Sequence, residues 1–366
     1  MRGGEKCLEA LCELFPDADL YTLIYVPERI SSTIRGMTIK TSWINNLPGV
    51  NRYYRYCLPL FPAAIESFDL RDYDLIVSSS HCVAKGAVPH RAIHISYVHS
   101  PMRYVWDMHD AYFDRNSSPV ARTGMALWRN YIQRWDVLSA ERVHFFVAIS
   151  NHIARKIRTV YGREAAVIYP PVDTKSFYIG EARESYYLVV SALVPYKKVD
   201  IAIEAFNRLK LPLKIAGEGP LRKTLEKKAG PTVEFLGWVN HNTLADLYAS
   251  CQALVFPGEE DFGIVPLEAQ ASGRPVIGYG KGGILETVVP LNPQCPIPGV
   301  NQPTGIFFYE PSADALMETV KLFERNLHRF ESKELRDHAM KFDRAIFKTN
   351  IRSFIEEKCF ERRRLD

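Results

Sequence analysis

Long apolar runs are absent from this sequence. None reaches the roughly 18 residues that a membrane-crossing helix requires. The first residues also lack the basic-then-apolar order of a signal peptide. Cysteine is scarce and unpatterned, seven in 366 residues with no C-x-x-C pair. That excludes a zinc-ribbon framework and a secreted disulfide scaffold, so a reducing cytoplasm is the expected compartment. A strong excess of one charge is missing as well. The formal net charge is +4, from 46 Lys and Arg against 42 Asp and Glu. Such a balance argues against nucleic acid as a partner. It is compatible with anionic substrates, or with loose peripheral association at an acidic membrane surface.

What is present is ordinary globular composition, 47% apolar and 24% charged. A chain of 366 residues exceeds what one hydrophobic core usually organises, so two domains are expected. Short apolar runs alternate with amphipathic stretches. Residues 74–78, 92–98, 143–149 and 166–169 read as strands, followed by 187–192, 213–216, 233–236, 253–256 and 275–279. Helical patterns lie between them, as at 199–209 and 220–228. Near-continuous apolar strands alternating with helices predict parallel, doubly wound sheets. The stiff segment Tyr169-Pro170-Pro171-Val172-Asp173 is the expected boundary. It divides a Rossmann-like domain over 1–172 from a second over 173–340. A basic, aromatic helical segment over 341–366 is expected to pack back toward the first domain. The chain opens with a Gly3-Gly4 turn and then a helix, a turn that in a doubly wound unit normally follows the first strand. No strand precedes it, so either an upstream segment is missing, the favoured expectation, or the first unit is built without its usual central strand.

The chemistry concentrates in Phe256-Pro-Gly-Glu-Glu-Asp-Phe-Gly-Ile-Val-Pro-Leu-Glu-Ala-Gln-Ala-Ser-Gly-Arg-Pro-Val-Ile277. A strand ends at Phe256, a glycine-bearing loop follows, and a helix is predicted to start near Val265 or Pro266. The free N–H groups and positive dipole end of that helix suit a phosphate. Glu260 lies in the loop and Glu268 in the helix, with seven residues between them. That spacing allows one carboxylate beside a sugar and the other beside a ribose, with the diphosphate between.

This segment resembles glycosyltransferase family 4, whose mark is the Glu-x7-Glu pair followed by small residues and G-x-P-V-I. The resemblance extends over almost the whole chain. It implies a GT-B fold, with two Rossmann-like α/β domains facing a cleft, and a retaining hexosyltransferase. Val190-Ser-Ala-Leu-Val-Pro-Tyr-Lys-Lys resembles the family's diphosphate-binding loop. Lys197 matches its lysine, but Ala192 stands where the family has arginine. Lys198 is a second candidate cation, although an ammonium does not replace a guanidinium fork. Ala216-Gly217-Glu-Gly-Pro resembles the second donor-side turn, and Leu236-Gly-Trp-Val239 the loop that holds the base. Phe262, Gly263, Ile264 and Val265 complete the implied donor site with Glu268.

In the first half, Ser96-Tyr-Val-His99-Ser-Pro-Met-Arg103-Tyr-Val-Trp-Asp107 comes off a strand. The resemblance makes His99 the carbohydrate contact and Arg103 and Asp107 acceptor-side residues, with Trp106 nearby. Gly3 and Gly4 match the family's first glycine turn. Ser80 and His81, at another strand end, are also placed on the acceptor side. The implied mechanism is front-face attack, with Lys197, Glu260 and His99 at the reacting sugar and no metal or other cofactor. Neither Asp17-Ala-Asp19 nor Asp72-Tyr-Asp74 follows a strand, as a metal-binding D-x-D would. The motif variants look like the mannosyltransferase branch that builds O-antigen and exopolysaccharide repeats. GDP-mannose is therefore the expected donor, and a glycan or lipid-linked saccharide the acceptor. A UDP-hexose transferase, a non-catalytic sugar-nucleotide-binding relative and a sugar-nucleotide epimerase remain the alternatives. The stretch Trp43 to Phe68, rich in aromatic and basic residues, suits a lipid-linked acceptor or packed helices.

Overall fold

The computed structural model of the chain describes residues 3–103, 105–106, 119–291 and 302–363, with 119–127 and 363 by backbone alone. The chain forms two compact units, residues 1–171 with 345–366, and residues 172–344.

The first unit begins with a helix over Gly3–Leu14. Gly3 and Gly4, expected as a turn before that helix, lie inside its first turn, and neither takes a positive φ. Strands β1 (Asp19–Thr22) and β2 (Thr38–Thr41) form a separate parallel pair. Both are short and largely uncovered, so their sequences carry little apolar signal. The main sheet joins β3 (Leu75–Ser80), β4 (Ile93–Val98), β5 (Phe145–Ala148) and β6 (Ala165–Val167) in chain order, all parallel. The last segment is a single helix, Arg344–Arg363. Phe347, Ile351 and Ile355 recur every fourth position and are buried, with the Phe347 ring 5.6 Å from that of Tyr97. Lys348 pairs with Glu13 of the first helix.

Inside this unit lies a buried ion pair. Lys85 Nζ is 3.0 Å from Asp136 Oδ1, and Ser139 Oγ accepts a further hydrogen bond from Lys85 at 2.7 Å. Trp106 Nε1 and Tyr161 Oη each donate to Asp136 Oδ2 at 2.8 Å. Each ion thus faces its counter-charge and further polar partners, the condition for keeping such a pair in a core.

The second unit has six parallel strands: β7 (Tyr187–Val190), β8 (Leu213–Ala216), β9 (Val233–Gly237), β10 (Leu254–Phe256), β11 (Val276–Tyr279) and β12 (Gly305–Phe308). Their spatial order is β12-β11-β10-β7-β8-β9. Chain order reverses between β7 and β10, which pair through Leu188 and Leu254. This reversal is the switch point where loops leave neighbouring strands on opposite faces and open a crevice. Ile203, Phe206, Leu213, Ile215, Val255, Ile277, Leu316 and Val320 pack the core beneath it.

Candidate functional site

The two strands flanking the switch point each deliver one charged residue. After β7 the chain makes a tight helical turn over Pro195–Lys197. Lys198 then takes the left-handed conformation (φ 53°), and the helix Val199–Leu209 begins. After β10 comes the loop carrying Glu260. Lys197 Nζ and Glu260 Oε1 form an ion pair, both side chains about four-fifths buried at 18% exposure. A glycine makes that meeting possible. A β-carbon on Gly258 would lie only 2.9 Å from Lys197 Cα, closer than real side chains tolerate.

The β10 loop is held on its other flank by the turn after β11. Gly283 N donates to Glu260 O at 2.7 Å, and a β-carbon on Gly283 would sit 2.3 Å from Asp261 O. Lys281 Nζ pairs with Glu259 at 3.1 Å. Gly263 (φ 102°) then opens the helix Ile264–Ala271, one to two residues earlier than the sequence pattern suggests. Pro266 sits in its first turn, where the missing N–H costs nothing. Phe262 is buried and Ile264 and Val265 half-buried, so this stretch presents backbone rather than side chains.

Glu268 lies one turn further on and is 5% exposed. Tyr248 Oη, from the helix His241–Ser250, donates to Glu268 Oε2 at 3.1 Å. Burial, then the Glu268 charge, pushes the Tyr248 hydroxyl well above its ordinary pKa, so it stays a donor. Tyr248 carries no functional signal in the sequence, because an isolated tyrosine on an amphipathic helix looks like core.

Two further turns complete this face. Gly217 (φ 141°) follows β8, where a β-carbon would come within 1.9 Å of Ser191 O. Its N–H donates to Gly237 O at 2.7 Å, tying the β8 turn to the β9 turn. Gly237 (φ 69°) leads into Trp238, which is 76% exposed, and Val239, which is half-buried. Ala192 and Lys198 are exposed, and Lys198 takes no part in the Lys197–Glu260 pair.

In the first unit, His99 follows β4 and lies beside the end of β3. Its Nε2 is 2.8 Å from Ser79 Oγ, and its backbone N–H donates to Ser80 O at 2.8 Å. Gly4 is next to it, since a β-carbon there would be 3.9 Å from His99 Nε2. Strand alternation turns Ser79 toward the histidine and its neighbours Ser78 and Ser80 the other way. Ser78 and Ser80 are buried; Ser78 Oγ contacts His94 and Ser96 at 2.9 Å, while Ser80 Oγ accepts from Lys85 N at 3.3 Å. His81 is exposed, and Arg103 Nε donates to Ser100 Oγ at 3.4 Å. Trp106 is committed to the Asp136 network. Asp107 lies outside the described residues. Among the described residues no three His, Cys, Asp or Glu side chains converge to hold a metal.

The second-unit arrangement thus offers one fixed ammonium, a helix N-terminus, glycine-lined backbone and two carboxylates around the carboxyl ends of parallel strands. This set can bind an anionic diphosphate and hydroxylated rings. Comparison with known proteins agrees. Residues 174–341 match the family described as Glycosyl transferases group 1, and residues 1–176 match Glycosyltransferase Family 4. An uncharacterised glycosyltransferase of Methanocaldococcus jannaschii is 32% identical over 148 residues, 39% of this chain and 42% of that protein. The O-antigen chain mannosyltransferase RfbU of Salmonella typhimurium is 29% identical over 156 residues, 38% of this chain and 43% of its own. The matched stretch therefore spans about two-fifths of each of these relatives. In fold, the chain is similar to Anabaena HepE crystallised with UDP and glucose, with a TM-score of 0.70 and 18% identity. That match covers 97% of this chain and 96% of HepE.

Proposed function

This chain belongs to the family 4, group 1 glycosyltransferases with the GT-B fold, and on that premise we propose a retaining hexosyltransferase that uses a nucleotide-sugar donor. The observation that carries the reading is the Lys197–Glu260 pair, set at the switch point beside the start of the helix that bears Glu268. When the bond between the anomeric carbon and the diphosphate breaks, its electron pair stays on the leaving phosphate oxygen. Lys197 and the N–H groups at Gly263–Val265 stabilise that charge, and Glu260 orients the sugar hydroxyls. The acceptor oxygen bonds to the same face of the anomeric carbon, and its proton passes to the departing phosphate. Glu268 holds the ribose and Val239 the base. No metal is needed in this scheme.

Mannose from GDP-mannose is the proposed donor group, supported by the similarity to an O-antigen mannosyltransferase. A UDP-hexose is the second reading, favoured by the fold's likeness to a protein crystallised with UDP. The proposed acceptor is a glycan or lipid-linked saccharide, used on the cytoplasmic side in cell-surface polysaccharide synthesis. Among the described residues no helix is long and apolar enough to cross a membrane. Peripheral contact is supported by Trp43, Tyr53, Tyr56 and Leu60, all exposed beside Arg52 and Arg55, in a stretch (43–65) without acidic residues.

Calorimetry with GDP-mannose, UDP-glucose, GDP and UDP tests the donor. Selective guanine-nucleotide binding is expected, weakened about tenfold or more by Glu268→Ala. Selective uracil binding would replace mannose with a UDP-sugar, and absence of any nucleotide binding would sink the transferase reading. For the surface, sedimentation with phosphatidylglycerol vesicles should exceed that with phosphatidylcholine vesicles. A double Tyr53→Ser, Tyr56→Ser variant should lose that difference; equal sedimentation throughout would refute membrane contact.

A further inference from the structure

Glu268 has a flexible side chain, yet a ribose contact requires its carboxylate to sit in one place. The helix His241–Ser250 supplies a reason why it does. That helix is fixed at its start by Asn240, whose Oδ1 accepts from Thr243 N at 2.9 Å. Near its end Tyr248 is fully buried, with Phe177 edge-on at 5.6 Å between ring centroids. Its hydroxyl meets Glu268 Oε2. We propose that Tyr248 is the positioning residue of the donor site, holding the Glu268 carboxylate where it accepts from the ribose hydroxyls of a nucleoside diphosphate. The inference rests on the reading of Glu268 as the ribose contact.

The chemistry fits this division of labour. An ionised carboxylate accepts about four hydrogen bonds through its two oxygens. The bond from Tyr248 fixes the group through Oε2 alone. The tyrosine comes from outside the helix that bears Glu268, so it sets the carboxylate independently of that helix's own rotamers. A buried tyrosine that merely satisfied its hydroxyl would stabilise the unit without reading the ligand. The two roles differ in what they do to ribose discrimination.

The test measures calorimetric affinities of the full chain for GDP and UDP and for their 2′,3′-dideoxy counterparts. Whichever base binds more tightly is used for the comparison. In the unmodified chain, loss of the ribose hydroxyls should weaken binding about tenfold or more. Tyr248→Phe should weaken ribonucleotide binding several-fold and leave the dideoxy nucleotide unchanged, so that the ratio falls toward one. Glu268→Gln should shrink the same ratio. A ratio unchanged in Tyr248→Phe but reduced in Glu268→Gln overturns the positioning role and keeps the ribose assignment. A ratio unchanged in both overturns the assignment of Glu268 itself. If Tyr248→Phe fails to fold, Tyr248→Met, which fills similar apolar volume without a hydroxyl, is read on the same ratio.

Discussion

At the residue scale, the central fact is that Lys197 and Glu260 neutralise one another. The ammonium is largely buried, and in the proposed mechanism a diphosphate would exchange one anionic partner for another. Such preorganised positive charge contributes most where leaving-group charge develops. Lys197→Ala should therefore lower transferase kcat/KM by about 10²–10³-fold, the range seen when one preorganised donor is removed. Lys197→Arg should recover only part of it, because a planar fork does not fill an ammonium's position. Steady-state kinetics with the donor identified by calorimetry decides this, and a loss under fivefold in Lys197→Ala would count against a role at the diphosphate. Ala192 adds weight to this lysine, since the arginine the wider family carries at that position is absent here.

At the element scale, the site is built from turns at the carboxyl ends of parallel strands, and glycines set how closely those turns approach. Gly283 is the clearest case. Its backbone is unstrained, at φ −69°, yet a β-carbon would strike the Asp261 carbonyl of the loop that presents Glu260. Gly283→Ala should displace that loop by a fraction of an ångström up to an ångström. A shift of that size is expected to reduce kcat/KM by up to about 10²-fold. The variant's thermal midpoint, read by calorimetric scanning, should move by a few degrees at most, since the strain falls on a loop and not on the core. A large fall in midpoint with unaltered kcat/KM would contradict this account of the turn.

At the scale of the whole molecule, each unit keeps a buried histidine neutral among the described residues, His94 in the first and His338 in the second. Burial is the main cause in both, aided by His144 beside His94 and by Lys341 beside His338. His94 is pulled down to about 3 and His338 to about 4. The unfolded chain binds these protons near pH 6.5, so between that pH and the folded values it holds more protons than the native state. Stability must then fall on acidification through that window, by up to about 1.4 kcal/mol per pH unit for each histidine. Above pH 6.5 neither group contributes. Denaturant midpoints at pH 7.5, 6.5 and 5.5 should decline accordingly, and His94→Gln should decline less steeply than the unmodified chain. Parallel declines in the two proteins would remove His94 as a cause.

Much of this was legible from residue order alone. Apolar runs four to seven residues long, spaced by amphipathic stretches, dictate parallel α/β units because such strands must be covered on both faces. The segment 256–277 carries strand, loop, helix start and both glutamates within one local stretch, so its chemistry can be read without a fold. Strand β2 is not legible in the sequence, because a short, half-exposed polar strand has no apolar period. Tertiary structure alone decided the partnerships. Lys197 and Glu260 are 63 positions apart and meet only because β7 and β10 are neighbours at the switch point. Ser79 meets His99 while Ser80 accepts from Lys85, because the pleat turns alternate residues to opposite faces. Tyr248 joined the site only once two helices had packed. Local order sets which groups are available, whereas long-range pairing, which depends on the summed burial of the whole sheet, sets which of them touch.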